Sequence, residues 1–72
     1  METLKFMTDI NSPMEMSRIK SILDKFSEIR EWKIDFDSIY NLLIVRAINL
    51  KGPVLAEALH RMGYNATLLY EE

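Results

Sequence analysis

Two proline-marked breaks constrain the fold of this chain more than any other feature. Asn11-Ser12-Pro13 and Gly52-Pro53 each end one spacing of apolar residues and begin another. Before the first break, Leu4, Phe6, Thr8 and Ile10 fall on one side of an extended segment, with Lys5, Met7 and Asp9 on the other. That period of two predicts a half-buried strand over Leu4 to Ile10. After the break, Met16, Ile19, Leu23 and Phe26 recur at steps of three and four, and Ile22 widens the stripe. An amphipathic helix is expected there, ending near Phe26 or Ser27. Ser12 suits the N-cap, and Pro13 the first helical position, where its missing N–H costs nothing. Glu15, three residues after Ser12, is expected to bond back to the Ser12 amide and complete a capping box.

Between the breaks, Trp32, Ile34 and Phe36 alternate with Glu31, Lys33 and Asp35, which predicts a second strand. Asp37, Ser38 and Asn41 favour a turn. Leu42-Leu43-Ile44-Val45 then opens a third strand with apolar groups on both faces, as a central strand requires. Past Gly52-Pro53, Val54, Leu55, Ala58, Leu59 and Met62 form the stripe of a second helix, while Glu57, His60 and Arg61 lie away from it. Gly63 fits the left-handed turn beyond a helix end. Ala66 to Tyr70 is the last strand, with Glu71 and Glu72 expected to fray. The order β-α-β-β-α-β predicts an α+β fold, the ferredoxin-like sandwich of four antiparallel strands with both helices on one face. Residues 1–72 are expected to form one domain, since 72 residues leave no room for a second.

Several segments, in order and at the right spacing, resemble the heavy-metal-associated domain family of copper chaperones and metal-pump N-terminal modules. They are Leu4-Lys5-Phe6, the run Met16 to Leu23, Ile34-Asp35-Phe36, Leu43-Ile44-Val45, and Ala58-Leu59 through Gly63-Tyr64-Asn65-Ala66. The resemblance implies a metal loop of the form Met-x-Cys-x-x-Cys between the first strand and helix, with two thiolates for a soft cation such as Cu(I). Aligned through the first helix, the cysteine positions are Ser12 and Glu15, and the family methionine is Ile10. Ser is not a useful ligand for Cu(I), and Glu is a hard oxygen donor, so the inherited metal site is expected to be lost. Met14 flanks that loop as a soft-metal candidate without a visible partner. Tyr64, whose family counterpart lies beside the metal loop, is expected to pack over it.

Composition sets the outer limits. The absence of cysteine excludes disulfides, thiolate metal knuckles and thiol nucleophiles. Eleven carboxylates against nine cations, a formal net charge of −2, disfavour a nucleic-acid binder. No apolar run is long enough for a membrane span, and the N-terminal residues carry no secretory pattern, so a cytoplasmic protein is expected. There is no nucleophile–base pair, phosphate loop or paired-carboxylate cleft, so no enzyme and no cofactor are expected. His60 reads as a solvated surface residue, Glu31, Asp35 and Asp37 as turn and sheet-surface residues, and Met16 and Met62 as fillers of core gaps.

The remaining lead is the sheet face away from the helices. If Leu43 and Val45 point to the helices, Leu42, Ile44 and Arg46 point outward, joined by Met7 and by Leu69 or Leu68 from neighbouring strands. Such an apolar cluster suggests a contact surface for a protein partner, with a second copy of the chain as the simplest candidate. The expected function is therefore a non-enzymatic interaction module with the metal site lost. The alternative is a Cu(I)-type binding or trafficking protein that uses methionine or partner-supplied ligands.

Overall fold

The computed structural model describes all 72 residues, Met1 to Glu72. In chain order it has β1 (Glu2–Thr8), a 3-10 turn (Pro13–Glu15), α1 (Met16–Leu23), β2 (Ile29–Asp35), β3 (Leu42–Ala47), α2 (Gly52–Arg61) and β4 (Ala66–Glu71). The strands pair antiparallel in the order β2-β3-β1-β4, so β1 and β3 are central. This is the ferredoxin-like arrangement that the order of elements implies.

The parity read from β1 and β3 is the one observed. Leu4 and Phe6 of β1 stand opposite Val45 and Leu43 of β3, and all four are fully buried. They meet Ile19 and Leu23 of α1 and Leu55 and Leu59 of α2 in one core. Both helices therefore cover the same side of the sheet. Trp32 and Ile34 of β2, and Phe36 just beyond its end, pack partly buried against this core. Gly63, at φ +92°, makes the left-handed turn after α2. Neither helix is long and apolar enough to cross a membrane.

Several expectations need correction. β1 ends at Thr8, two residues short of Ile10, because the backbone N–H of Thr8 turns to the Tyr40 carbonyl at 3.0 Å. Ile10 is nonetheless buried beyond the strand end. α1 ends at Leu23, where the Asp24 N–H bonds back to the carbonyls of Lys20 and Ile22. Phe26 keeps its contact with the core from the following turn.

The stripe of α2 is wider than the sheet can cover. Leu55 and Leu59 are buried, but Val54 is 52% and Met62 43% exposed, so Met62 fills no core gap. Those two line a groove between the helices together with Ile22, Phe26 and Ala58.

The C-terminal acids do not fray. Thr3 and Glu72 exchange two backbone hydrogen bonds, at 2.7 and 3.0 Å, which extends the β1–β4 pairing to the last residue. Glu71 lies on the helix side of the sheet, and its carboxylate accepts the Gly52 N–H at 3.0 Å. Lys51, the residue before α2, supplies no side-chain cap. Glu71 thus serves as a cap from a distant strand, and its charge complements the positive end of the helix. Glu71→Ala is expected to lower stability by about 1 kcal/mol, read as a lower denaturation midpoint. An unchanged midpoint would mean the carboxylate contributes nothing as a cap.

Candidate functional site

The turn between β1 and α1 carries the positions that the family resemblance assigns to metal ligands. Ser12 has the extended backbone of an N-cap, φ −138° and ψ 132°, and Pro13 takes the first position of the turn. The Ser12 Oγ accepts from the Met14 N–H at 3.2 Å, and the Ser12 carbonyl accepts from the Glu15 N–H at 3.1 Å. The second bond is the 3-10 closure, with three residues per turn. That tighter turn places the Glu15 side chain away from the Ser12 amide, so the expected capping box does not close. Half of the prediction holds: Ser12 caps, and Glu15 does not reciprocate.

The Glu15 carboxylate is held from the other side of the molecule. The Tyr64 hydroxyl, just beyond α2, donates to Glu15 Oε2 at 2.5 Å. Arg18, one turn further along, lies 4.0 Å from the same oxygen and places its guanidinium 5.4 Å from the centre of the Tyr64 ring. Tyr64 is buried and reaches the turn through this bond. Its hydrogen bond to Glu15, then its burial, raise the phenol's pKa above the ordinary value, while the Arg18 charge opposes the shift.

Asp9 fastens the same region by accepting from the backbone and side-chain N–H groups of Asn65 at 3.1 and 3.0 Å. Ile10, at the family methionine position, is 1% exposed and belongs to the core. Met14 is 88% exposed. No three His, Cys, Asp or Glu side chains converge anywhere in the fold. His60 is not purely solvated, since its Nε2 lies 3.0 Å from the Ala66 carbonyl and ties α2 to β4.

The second candidate is the uncovered sheet face. Leu42, Ile44 and Arg46 point away from the helices, as Leu43 and Val45 are buried beneath them. Lys33, Ile44, Lys5 and Tyr70 stand in one row across β2, β3, β1 and β4. The Lys5 ammonium sits 5.2 Å from the centre of the Tyr70 ring. One row away, Arg46 stands opposite both Glu31 and Thr3, and its guanidinium bonds Glu31 at 2.8 Å. On the other side, Asp35 faces Leu42, while Met7 faces Thr67.

Leu69, half exposed, sits where the β1–β4 ladder is irregular. The β1–β4 register slips between Lys5 and Phe6, which pair with Tyr70 and Leu68, so Leu69 is the extra residue of a bulge. It lies outside the row, and Tyr70 takes the place beside Lys5. The face therefore brings Met7, Leu42 and Ile44 together with Lys5, Lys33 and Tyr70, a surface with more charge than the apolar cluster and Arg46 that were expected. The flanking lysines were legible as the outward partners of Ile44 once the strand register was known, but periodicity alone does not give register.

No protein-family model matches the chain, and no curated protein matches it. Solved structures do share its fold. The N-terminal domain of PacS from Synechocystis PCC6803 superposes with a TM-score of 0.74 at 19% identity, over 94% of this chain and 97% of that one. A copper binding domain from HMA7, a P-type ATPase, gives 0.81 at 15% identity, over 100% and 99%. Oxidized MerP from Ralstonia metallidurans CH34 gives 0.75 at 13% identity, over 97% and 100%. The chain thus has the fold of heavy-metal-associated domains while carrying no cysteine.

Tyr64→Phe removes the hydroxyl and leaves the ring. It is expected to lower stability by about 1 kcal/mol near neutral pH, the usual scale of one hydrogen bond. Because the folded-state pKa of Tyr64 is raised, its contribution is complete below the ordinary phenol range and is lost as pH rises through the folded-state value. The gap between wild type and Tyr64→Phe in chemical denaturation should therefore begin to narrow near about pH 10 and close once pH passes the raised folded-state value. A gap that persists there would refute the assigned bond.

Proposed function

We propose that this protein is a non-enzymatic interaction module on the heavy-metal-associated fold, with the metal site lost and the uncovered sheet face as its protein-binding surface. The observation that carries the reading is the Tyr64–Glu15 hydrogen bond at 2.5 Å. A carboxylate drawn onto a tyrosine hydroxyl, with Arg18 beside it, is a hard donor already engaged by the protein itself. Ser12 is engaged as a cap. Neither offers the soft, free donor that Cu(I) selects. The open face supports the second half of the reading, because Leu42, Ile44 and Met7 are apolar side chains on a sheet surface that no helix covers.

The alternative, soft-cation handling through methionine or a partner's ligands, draws on Met14 and on the neighbours. One solved neighbour is a copper binding domain, and another is described as the copper(I) loaded first domain of the human copper chaperone for SOD1. Those descriptions belong to those proteins. Met14, a lone thioether, would need ligands supplied from elsewhere.

Anaerobic titration with Cu(I) against a strong competing chelator separates the two. No stoichiometric binding is expected, and tight binding would overturn the reading. The double substitution Ser12→Cys with Glu15→Cys should create Cu(I) affinity, by restoring two thiolates to the turn. Failure of the double variant to bind would mean that these positions do not correspond to the family's ligand pair.

A further inference from the structure

The charges on the uncovered sheet face are unequally committed. Two of its carboxylates have partners: Glu31 accepts from Arg46 at 2.8 Å, and Asp35 Oδ1 accepts the Asp37 N–H at 3.0 Å; the third, Glu72, lies at the edge opposite Thr3, one row from Lys5. Neither Lys33 nor Lys5 takes part in any of the five ion pairs in the structure. These two lysines flank Ile44 in a single cross-strand row. A shallow cleft of about 420 Å³ lies around them, lined by Lys5, Glu31, Trp32, Lys33, Ile44 and Arg46. Leu42 and Met7 continue the apolar surface one row away.

The spacing of the row limits what can lie on it. Adjacent strands are about 4.8 Å apart, so Lys33 and Lys5, two strands apart, are separated by about 10 Å at the backbone. Residues i and i+7 of an α-helix are about 10.5 Å apart along one face, with i+3 and i+4 between them. A helix laid across the strands can therefore meet both lysines with carboxylates at i and i+7 while apolar side chains at i+3 and i+4 cover Ile44. Its width, about 10 Å, also spans the neighbouring row of Leu42 and Met7, which is about 7 Å away along the strands.

A second copy of the chain fits less well. A two-fold face-to-face contact sets each patch against itself. Centred on Ile44, it gathers four lysine ammoniums around one apolar contact, and like charges so placed suppress association.

We infer that the uncovered face, with Lys33, Ile44 and Lys5 in one row, receives an acidic amphipathic helix of a partner protein rather than a second copy. This rests on the reading of that face as the protein-binding surface and adds the chemistry of what binds there.

The test uses the intact protein, labelled with ¹⁵N, at low ionic strength, where exposed charge pairs are least screened. The probe is an alanine-based helical peptide with Glu at i and i+7 and Leu at i+3 and i+4; its control carries Lys at i and i+7. Saturable amide shifts at Lys5, Lys33, Leu42 and Ile44 are expected, with the glutamate peptide bound at least about tenfold more tightly than the control. The double variant Lys5→Glu with Lys33→Glu should reverse that preference while keeping a dispersed spectrum. Equal binding of the two peptides, shifts confined to the helices, or no shifts would overturn the inference. A dimer in sedimentation equilibrium that Ile44→Asp or Leu42→Asp dissociates would also overturn it, making a second copy the occupant, yet would leave the open face as a protein-binding surface. Stoichiometric Cu(I) binding would instead count against the reading on which the inference rests.

Discussion

A sheet covered on one side only must sort its residues by parity, and this constraint governs the rest of the molecule. Leu4, Phe6, Leu43 and Val45 have no exposed surface, so a one-residue slip of either central strand would send two of them into water and bring charged or exposed residues inside. Burying each such side chain contributes about 1.5–3 kcal/mol relative to exposure, which fixes the register of β1 against β3 firmly. With that register set, Lys5, Ile44 and Lys33 have no freedom to lie anywhere but in one outward row. The composition of the open face is thus a consequence of the core.

The end of the sandwich near the β1–α1 turn is held by a different kind of interaction. Tyr64, Glu15 and Arg18 bring together the segment after α2, the 3-10 turn and the first turn of α1. Asp9 and Asn65 join the end of β1 to the segment after α2 through two further bonds. A soft-metal site in this place would need mobile, uncommitted donors. Here the polar groups are satisfied by one another, and the structure has no buried side-chain polar atom without a partner. Such mutual satisfaction favours a fixed turn over one that opens to exchange a ligand.

Most of the fold was legible because its signals are local. The Ser12-Pro13 and Gly52-Pro53 breaks, the alternation around Leu4–Thr8 and Trp32–Phe36, and Gly63 after α2 each depend on residues within a few positions. What could not be read depends on pairs far apart in the chain. Glu15 was assigned to Ser12 because they are three residues apart, but Tyr64, forty-nine residues away, offers a stronger donor to the carboxylate. Glu71 seemed a loose end because its partner, the Gly52 amide, lies on another element. Tyr70, rather than Leu69, stands beside Lys5 because a bulge shifts the register without leaving a mark in the composition. Val54 and Met62 satisfied the helical spacing of α2, yet a stripe in sequence cannot show how wide a strip the sheet covers.

The partition of charge ties the open face to the rest of the surface. Of nine cations and eleven carboxylates in the chain, the face holds Lys5, Lys33 and Arg46 against Glu31 and Asp35. Glu72, paired with the outward-facing Thr3, adds a third carboxylate at the edge of that face, and elsewhere six cations remain for eight carboxylates. On the open face the two lysines without an ion pair stand directly beside apolar contact area. Electrostatics of this kind select orientation before contact and reject unsuited partners, whereas Ile44, Leu42 and Met7 supply the area that must be dried for a complex to persist. Neither feature suffices alone: exposed lysines are common on any surface, and scattered apolar side chains need no partner. Their convergence in adjoining rows of one sheet, set by a register that the core itself enforces, is what distinguishes this face from an ordinary solvated one.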